Sequence, residues 1–149
     1  MNSDILRYLY TIIAKKDYTE YEIREKIKRK FNAPLDQIDE VVEKLQSEGL
    51  VDDKAYTKRY VENKVLAGYG PLYIIYALNR KGIRIDEEHI CSIIEDMDID
   101  LKDIIKKVLI KKDLSNINKC YSFLQRRGFK TDEIKELLME VNKDGSAIL

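Results

Sequence analysis

The chain has 149 residues, of which 44% are hydrophobic and 36% charged, and its 27 Lys and Arg are balanced by 27 Asp and Glu. This composition excludes a largely disordered chain. A formal net charge of zero also argues against a dedicated duplex-DNA-binding domain, because the need to neutralise phosphates usually makes such domains strongly basic.

A short basic segment recurs along the chain and divides it into repeats. Residues 78–83, Leu-Asn-Arg-Lys-Gly-Ile, are matched 46 positions later by residues 124–129, Leu-Gln-Arg-Arg-Gly-Phe. A third copy, residues 27–31, lies 51 positions before the first of these and lacks the glycine. Repetition with such a period is typical of stacked helical units, so we expect three copies of one structural unit.

The first unit, residues 1–51, is predicted to contain three helices. Thr19 begins the second helix with a capping box that Glu22 completes. Pro34 opens the third helix, and Gly49 closes the unit. Apolar residues at helical spacing mark the predicted inner faces: Leu6, Leu9, Ile12, Ile13, Ile23, Ile27, Leu35, Ile38, Val41, Val42 and Leu45.

The second unit, residues 52–98, repeats this plan. Asp52 offers a side-chain oxygen to the free N–H groups of the first helix. Pro71 suits the first turn of the middle helix, and Gly82 ends that helix. The third helix starts near Asp86. The residues predicted to face inward on the first and third helices are Tyr56, Tyr60, Val61, Val65, Leu66, Ile90, Ile93, Ile94 and Met97.

The third unit covers residues 99–142, and residues 143–149 are predicted to be a flexible tail. Asp100, Ser115 and Thr131 are the expected caps of its three helices. The apolar residues that follow at helical spacing are Leu101, Ile104, Ile105, Val108, Leu109, Tyr121, Leu124, Ile134, Leu137, Leu138 and Val141.

The predicted fold is all-α, because no segment shows sustained period-two alternation flanked by turn signals. Isolated helices of about 10–15 residues are marginal in water, so each must bury its apolar stripe against neighbours. Three-helix units stacked as in a solenoid satisfy this need.

Localisation in the cytoplasm is expected. The apolar runs are far shorter than the ~20 residues that span a bilayer. The first residues, Met1 to Asp4, lack the basic and apolar regions of a signal peptide. Cys91 and Cys120 have neither paired spacing nor nearby histidine ligands, so we expect two reduced thiols rather than a disulfide or a metal site.

Nothing in the chain predicts an enzyme, a cofactor or a metal. The single histidine, His89, stands among acidic residues and is read as solvated. Residues 68–70, Gly-Tyr-Gly, lack the frame of a phosphate-binding loop and are read as an inter-helix turn. The acidic residues between positions 95 and 100 lack calcium-loop spacing, so plain solvation is favoured over a divalent cation.

Basic residues recur at one structural position, the end of each middle helix. Cations there stabilise a helix by about 0.3–1 kcal/mol through its dipole. Alternatively, stacking of the units aligns them into a basic track that contacts a partner or DNA. Both readings stay open. The residues are Lys28, Arg29, Lys30, Arg80, Lys81, Arg126 and Arg127.

Tyr69 is the tyrosine expected to be exposed, because it lies in a turn between Gly68 and Gly70. An exposed aromatic residue in a turn suits an anchor for a protein partner. A local staple between helices is the alternative reading.

The residues that begin and end the predicted helices, together with residues beside them, have an order and spacing that resemble those of the RecX family, regulators of the RecA recombinase. The resemblance extends weakly to residues 126–129. The chain departs from the family pattern after Gly70-Pro71: family members often have basic residues there, whereas this chain has Leu72-Tyr73. The residues that carry the resemblance are Tyr18 to Ile23, Gly49 to Asp53, Tyr56, Val61, Gly68 to Pro71, Leu78, Lys81, Gly82 and Ile83.

The resemblance implies tandem three-helix repeats in an elongated, curved array. It also implies a non-enzymatic monomer that lodges in the groove of RecA nucleoprotein filaments, inhibits their extension and activities, and contacts DNA weakly or through the filament. The alternatives are a helical DNA-binding module that acts without RecA, and a repeat scaffold for some other protein.

Overall fold

The structure, a computed structural model, describes residues 2–112 and 116–143, with side chains as far as residue 139. These residues form nine helices and no strand, so the predicted all-α class is confirmed. The predicted cap Ser115 and residues 144–149 of the predicted tail lie outside the described residues. The helices are α1 Asn2–Ile13, α2 Glu20–Phe31, α3 Leu35–Ser47, α4 Asp53–Leu66, α5 Pro71–Arg80, α6 Glu87–Asp96, α7 Leu101–Lys111, α8 Ile117–Arg126 and α9 Thr131–Lys143.

Local capping chemistry sets several helix starts. The capping box of α2 is confirmed: Thr19 Oγ1 accepts from Glu22 N at 3.2 Å, and Glu22 Oε1 accepts from Thr19 N at 3.0 Å. Asp100 caps α7 as predicted, and Asp86, near which α6 was expected to start, is the cap of α6. The first repeat, which lacks the glycine, ends its middle helix with Asn32 in the left-handed conformation, at φ 50°.

The chain divides into two compact units, and the divisions fall within α4, within α5 and between α5 and α6. The first unit comprises Met1–Lys58 and Leu78–Arg84. Helices α1, α2 and α3 pack around one core, in which each fully buried Leu or Ile contributes about 1.5–3 kcal/mol. The core residues are Ile5, Leu9, Ile23, Ile27, Ile38, Val41, Val42, Leu45 and Val51.

The second unit comprises Arg59–Ala77 and Ile85–Leu149. Helices α7, α8 and α9 supply its core, and Val61, Val65, Ile74, Ile90 and Ile93 of this unit are also buried. The core residues are Ile105, Leu109, Cys120, Phe123, Leu124, Phe129, Ile134, Leu137 and Leu138.

The division into three repeats at residues 51, 98 and 142 stays a prediction, since compactness separates two units rather than three. Two residues predicted to face inward are exposed instead. Leu35 is 65% exposed and Leu66 is 54% exposed. Leu35 is the first residue of α3 and Leu66 is the last residue of α4. Each therefore lies at a helix end, outside the part of the helix that packs against its neighbours.

Candidate partner-binding residues and the helix-end junctions

Within the first unit, the end of α5 meets the start of α2. Thr19 Oγ1 donates to the carbonyl oxygen of Lys81 at 2.6 Å. Thr19 is fully buried, and the same hydroxyl accepts from Glu22 N. Gly82 lies directly against Tyr21, and a Cβ built on this glycine would stand 2.2 Å from Tyr21 Cβ. The absence of a side chain at position 82 therefore permits the two helix ends to meet.

Within the second unit, the end of α8 meets the start of α5 in the same way. Gly70 N donates to the carbonyl oxygen of Arg127 at 2.7 Å, and Leu72 N donates to that of Gly128 at 3.0 Å. A Cβ on Gly128 would lie 2.3 Å from the backbone nitrogen of Tyr73. The last carbonyls of one helix thus accept from the free N–H groups at the start of another, which satisfies both ends.

The two junctions are equivalent by sequence position. Lys81 and Arg127 are 46 residues apart, as are Gly82 and Gly128. Thr19 and Gly70, which donate hydrogen bonds to the carbonyl oxygens of Lys81 and Arg127, are 51 residues apart. Both offsets equal those found by aligning the basic segments. The recurring Arg-Lys-Gly and Arg-Arg-Gly segments therefore build one recurring contact between helix ends.

The first basic residue of each pair is exposed. Arg80 is the last residue of α5, and Arg126 is the last residue of α8. Both side chains are exposed to solvent. Each therefore presents its charge to solvent at the end of its helix.

The second basic residue of each pair is half-buried and helps to hold the junction. Lys81 Nζ lies 3.4 Å from Glu22 Oε2 and 6.0 Å from the centre of the Tyr56 ring. Burial lowers the pKa of Lys81, but Glu22 and Tyr56 outweigh this effect and raise it above its ordinary value. Lys81 therefore contributes stability at neutral pH, and this contribution is lost as the pH rises through its raised pKa.

Arg127 has aromatic neighbours instead of a carboxylate. Its Cζ lies 4.2 Å from the centre of the Tyr69 ring and 4.7 Å from that of Phe123. Its Nη1 also donates to the carbonyl oxygen of Ala67 at 3.0 Å. Cation–aromatic contacts of this kind contribute about 0.5–1 kcal/mol at exposed sites and more when they are desolvated.

Tyr69 is half-buried, so its predicted exposure is only partial. Its ring centre lies 4.2 Å from that of Tyr73. Lys64 Nζ lies 5.2 Å from the centre of the Tyr69 ring and 6.0 Å from that of Tyr73. These contacts favour the local-staple reading of Tyr69, because its ring connects the α4–α5 turn to the end of α8.

The basic end of α2 is exposed at Lys28, Arg29 and Lys30. Lys28 Nζ lies 3.7 Å from a carboxylate oxygen of Glu25. Lys30 Nζ lies 4.7 Å above the centre of the Tyr8 ring. Partial pairing of this type is ordinary for a solvated helix end and contributes little stability.

No group of three or more His, Cys, Asp or Glu that could hold a metal ion occurs among residues 2–112 and 116–143. His89 is exposed in the first turn of α6, where its backbone N–H donates to the cap Asp86. Within the same residues, no helix is both long and apolar enough to cross a bilayer.

The described residues define an all-helical protein in which a contact between basic helix ends recurs. No family model matches the sequence. The chain is 26% identical over 148 residues to the regulatory protein RecX of Haemophilus influenzae strain PittEE, covering 93% of this chain and 95% of the relative. It is 27% identical over 140 residues to RecX of Halorhodospira halophila, covering 89% and 85%.

Solved structures agree on the fold. The crystal structure of RecX from Lactobacillus salivarius superposes with a TM-score of 0.72 at 22% identity, covering 95% of this chain and 96% of that one. A second crystal structure of a regulatory protein RecX gives a TM-score of 0.70, also at 22% identity, and covers 93% and 73%. The chain is thus similar to RecX proteins in sequence over almost its full length and in fold, which confirms the resemblance seen in the sequence.

Proposed function

We propose that the protein regulates RecA by binding its nucleoprotein filaments and limiting their extension. The observation that carries this proposal is the similarity, over almost the full length of both chains, to proteins named regulatory protein RecX. By the family resemblance, the protein lodges in the filament groove and reduces ATP hydrolysis, strand exchange and co-protease activity. It acts as a non-enzymatic, cytoplasmic monomer without a cofactor.

The exposed arginines supply part of the contact with the filament. Arg80 and Arg126 occupy equivalent positions in the two junctions. A guanidinium group can bind either of the anionic groups on a filament surface, carboxylate or phosphate, through two parallel hydrogen bonds. Lys28, Arg29 and Lys30 extend the basic surface of the first unit. Lys81 contributes mainly by holding the helix ends in place, whereas Arg127 also stays a candidate for contact with DNA.

Protein contacts provide most of the affinity in this proposal. A formal net charge of zero gives little long-range attraction to DNA, whose binding is dominated by phosphate neutralisation. Local basic groups then add DNA contacts only where the filament brings the strand close. Binding to filaments is therefore expected at concentrations that leave bare DNA unbound.

The test is the rate of ATP hydrolysis by RecA on single-stranded DNA as the protein is titrated in. Inhibition well below the concentration that shifts bare DNA supports the proposal. Binding to bare DNA that falls steeply with salt, with no effect on RecA, supports instead the helical DNA-binding module.

The same assay tests the exposed arginines. The double variant R80Q/R126Q is expected to need roughly tenfold more protein for half-inhibition, a loss of about 1.4 kcal/mol. Its helicity and melting temperature should stay nearly unchanged, because both side chains are exposed. The matched control K58Q/K135Q removes two charges from exposed positions elsewhere. Equal losses in the two double variants would show that only total charge matters.

A further inference from the structure

Two cations of the second unit lie against the same tyrosine ring. Both Lys64 and Arg127 contact Tyr69, and Lys64 also approaches Tyr60, at 5.5 Å from its ring centre. The side chains of Lys64 and Arg127 are half-buried. No carboxylate among the described residues forms an ion pair with either of them. The cluster Lys64, Tyr69, Tyr73 and Arg127 therefore carries positive charge with which no carboxylate of the described residues forms an ion pair.

The equivalent place in the first unit shows what is missing. There Lys81, the counterpart of Arg127, is paired with Glu22. The counterpart of Glu22, 51 positions later, is Tyr73, whose ring stacks on Tyr69. The second unit thus keeps the cation of the junction, adds Lys64 as a second one, and replaces the internal anion with an aromatic ring.

An external anion would complete this site. Two like charges near one ring repel each other, and an anion within reach of both reduces that cost while gaining attraction to both. A guanidinium binds phosphate through two parallel N–H groups, and an ammonium adds a point charge. Cations interleaved with aromatic rings are typical of surfaces that follow a single-stranded nucleic acid.

We propose that the cluster of Lys64, Tyr69, Tyr73 and Arg127 binds a backbone phosphate of single-stranded DNA. Two cations can neutralise only one or two phosphates, which fits a short contact with a single strand better than the extended contact that a duplex-binding domain makes. The inference deepens the proposed function, since it names the chemistry of one DNA contact, but it is tested without RecA.

The experiment measures the binding of the full chain to a labelled oligothymidylate at several salt concentrations. Lys64→Gln is expected to lower affinity roughly tenfold, the lower end of the range for loss of one hydrogen bond to a charged group. It should also reduce the slope of log affinity against log salt by about 0.7, the value for one phosphate on a single strand. Lys58→Gln, an exposed lysine on the same helix, should change neither quantity. Equal effects of the two variants would overturn the proposal.

A second variant keeps both cations and neutralises them internally. Tyr73→Glu places a carboxylate where the first unit has Glu22, and it should weaken oligothymidylate binding at least as much as Lys64→Gln. Unchanged binding by a folded Tyr73→Glu protein, with wild-type helicity, would contradict the inference.

Competition arms distinguish the sources of the anion. One competitor is inorganic phosphate and the other is unlabelled oligothymidylate at the same phosphate concentration. If both displace the labelled strand equally well, the cluster is a site for small anions and the assignment to DNA is overturned. Displacement by polyglutamate but not by unlabelled oligothymidylate would assign the cluster to an acidic protein surface instead. Lys64-dependent DNA binding without any effect on RecA would refute the proposed function and leave this inference standing.

Discussion

Replacing Gly128 with alanine is expected to destabilise the protein by about 2–5 kcal/mol, since left-handed strain of about 1–2 kcal/mol adds to an overpacking cost of about 1–3 kcal/mol. Gly128 has a φ of 94°, and its new Cβ would lie 2.3 Å from Tyr73 N and 2.5 Å from Tyr73 Cβ. Because the obstacle includes backbone, no side-chain rotation relieves it. The start of α5 and the end of α8 must separate.

Gly49 provides the matched control. It also has a positive φ, 74°, but a Cβ there would meet nothing within 4 Å. Gly49→Ala should therefore show only the conformational cost of about 1–2 kcal/mol. Denaturant unfolding of the two variants separates these terms. Equal stabilities of Gly49→Ala and Gly128→Ala would mean that the α5–α8 junction does not require close approach.

The second large effect is expected at the paired leucines of the repeats. Leu78 and Leu124 are both 0% exposed, and truncation of a fully buried leucine to alanine costs about 2–5 kcal/mol through lost burial and the cavity left behind. Leu78→Ala and Leu124→Ala should each lower the free energy of unfolding by an amount in this range.

Leu72, on the same helix as Leu78, is the control for this pair. It is 45% exposed, so Leu72→Ala should change stability by about 0.5 kcal/mol or less. The free energies come from guanidinium titrations followed by circular dichroism. A large loss for only one of the two buried leucines would contradict their equivalence in the repeat pattern.

Helix positions could be predicted from the sequence because their causes are local. A capping box, an aspartate cap or a stripe of apolar residues acts within a few residues of itself, and Thr19 and Asp100 cap helices as expected. The alignment of Leu78 with Leu124 likewise predicted two residues that are both fully buried.

The junctions could not be predicted because they join residues far apart in the chain. A glycine after a basic pair indicates the end of a helix, but it does not show which other helix end will occupy the space beside it. For the same reason, the sequence treated Arg80 and Lys81 alike. The contact with Glu22 makes Lys81 half-buried and leaves Arg80 exposed.

Lys64 and Tyr73 were missed as site residues for a related reason. Each reads as an ordinary position on an amphipathic helix, and only the approach of α8 brings Arg127 to the ring beside them. A signal was present in the repeat alignment, which places Tyr73 opposite Glu22. That exchange of an anion for a tyrosine would have indicated uncompensated charge.

The length of RecA filaments on long single-stranded DNA, measured by electron microscopy, tests the central claim most directly. With less protein than RecA present, filaments assembled in its presence should be markedly shorter than those assembled without it, and R80Q/R126Q should restore much of their length. Filaments of full length at every protein concentration would contradict the claim that this chain regulates RecA.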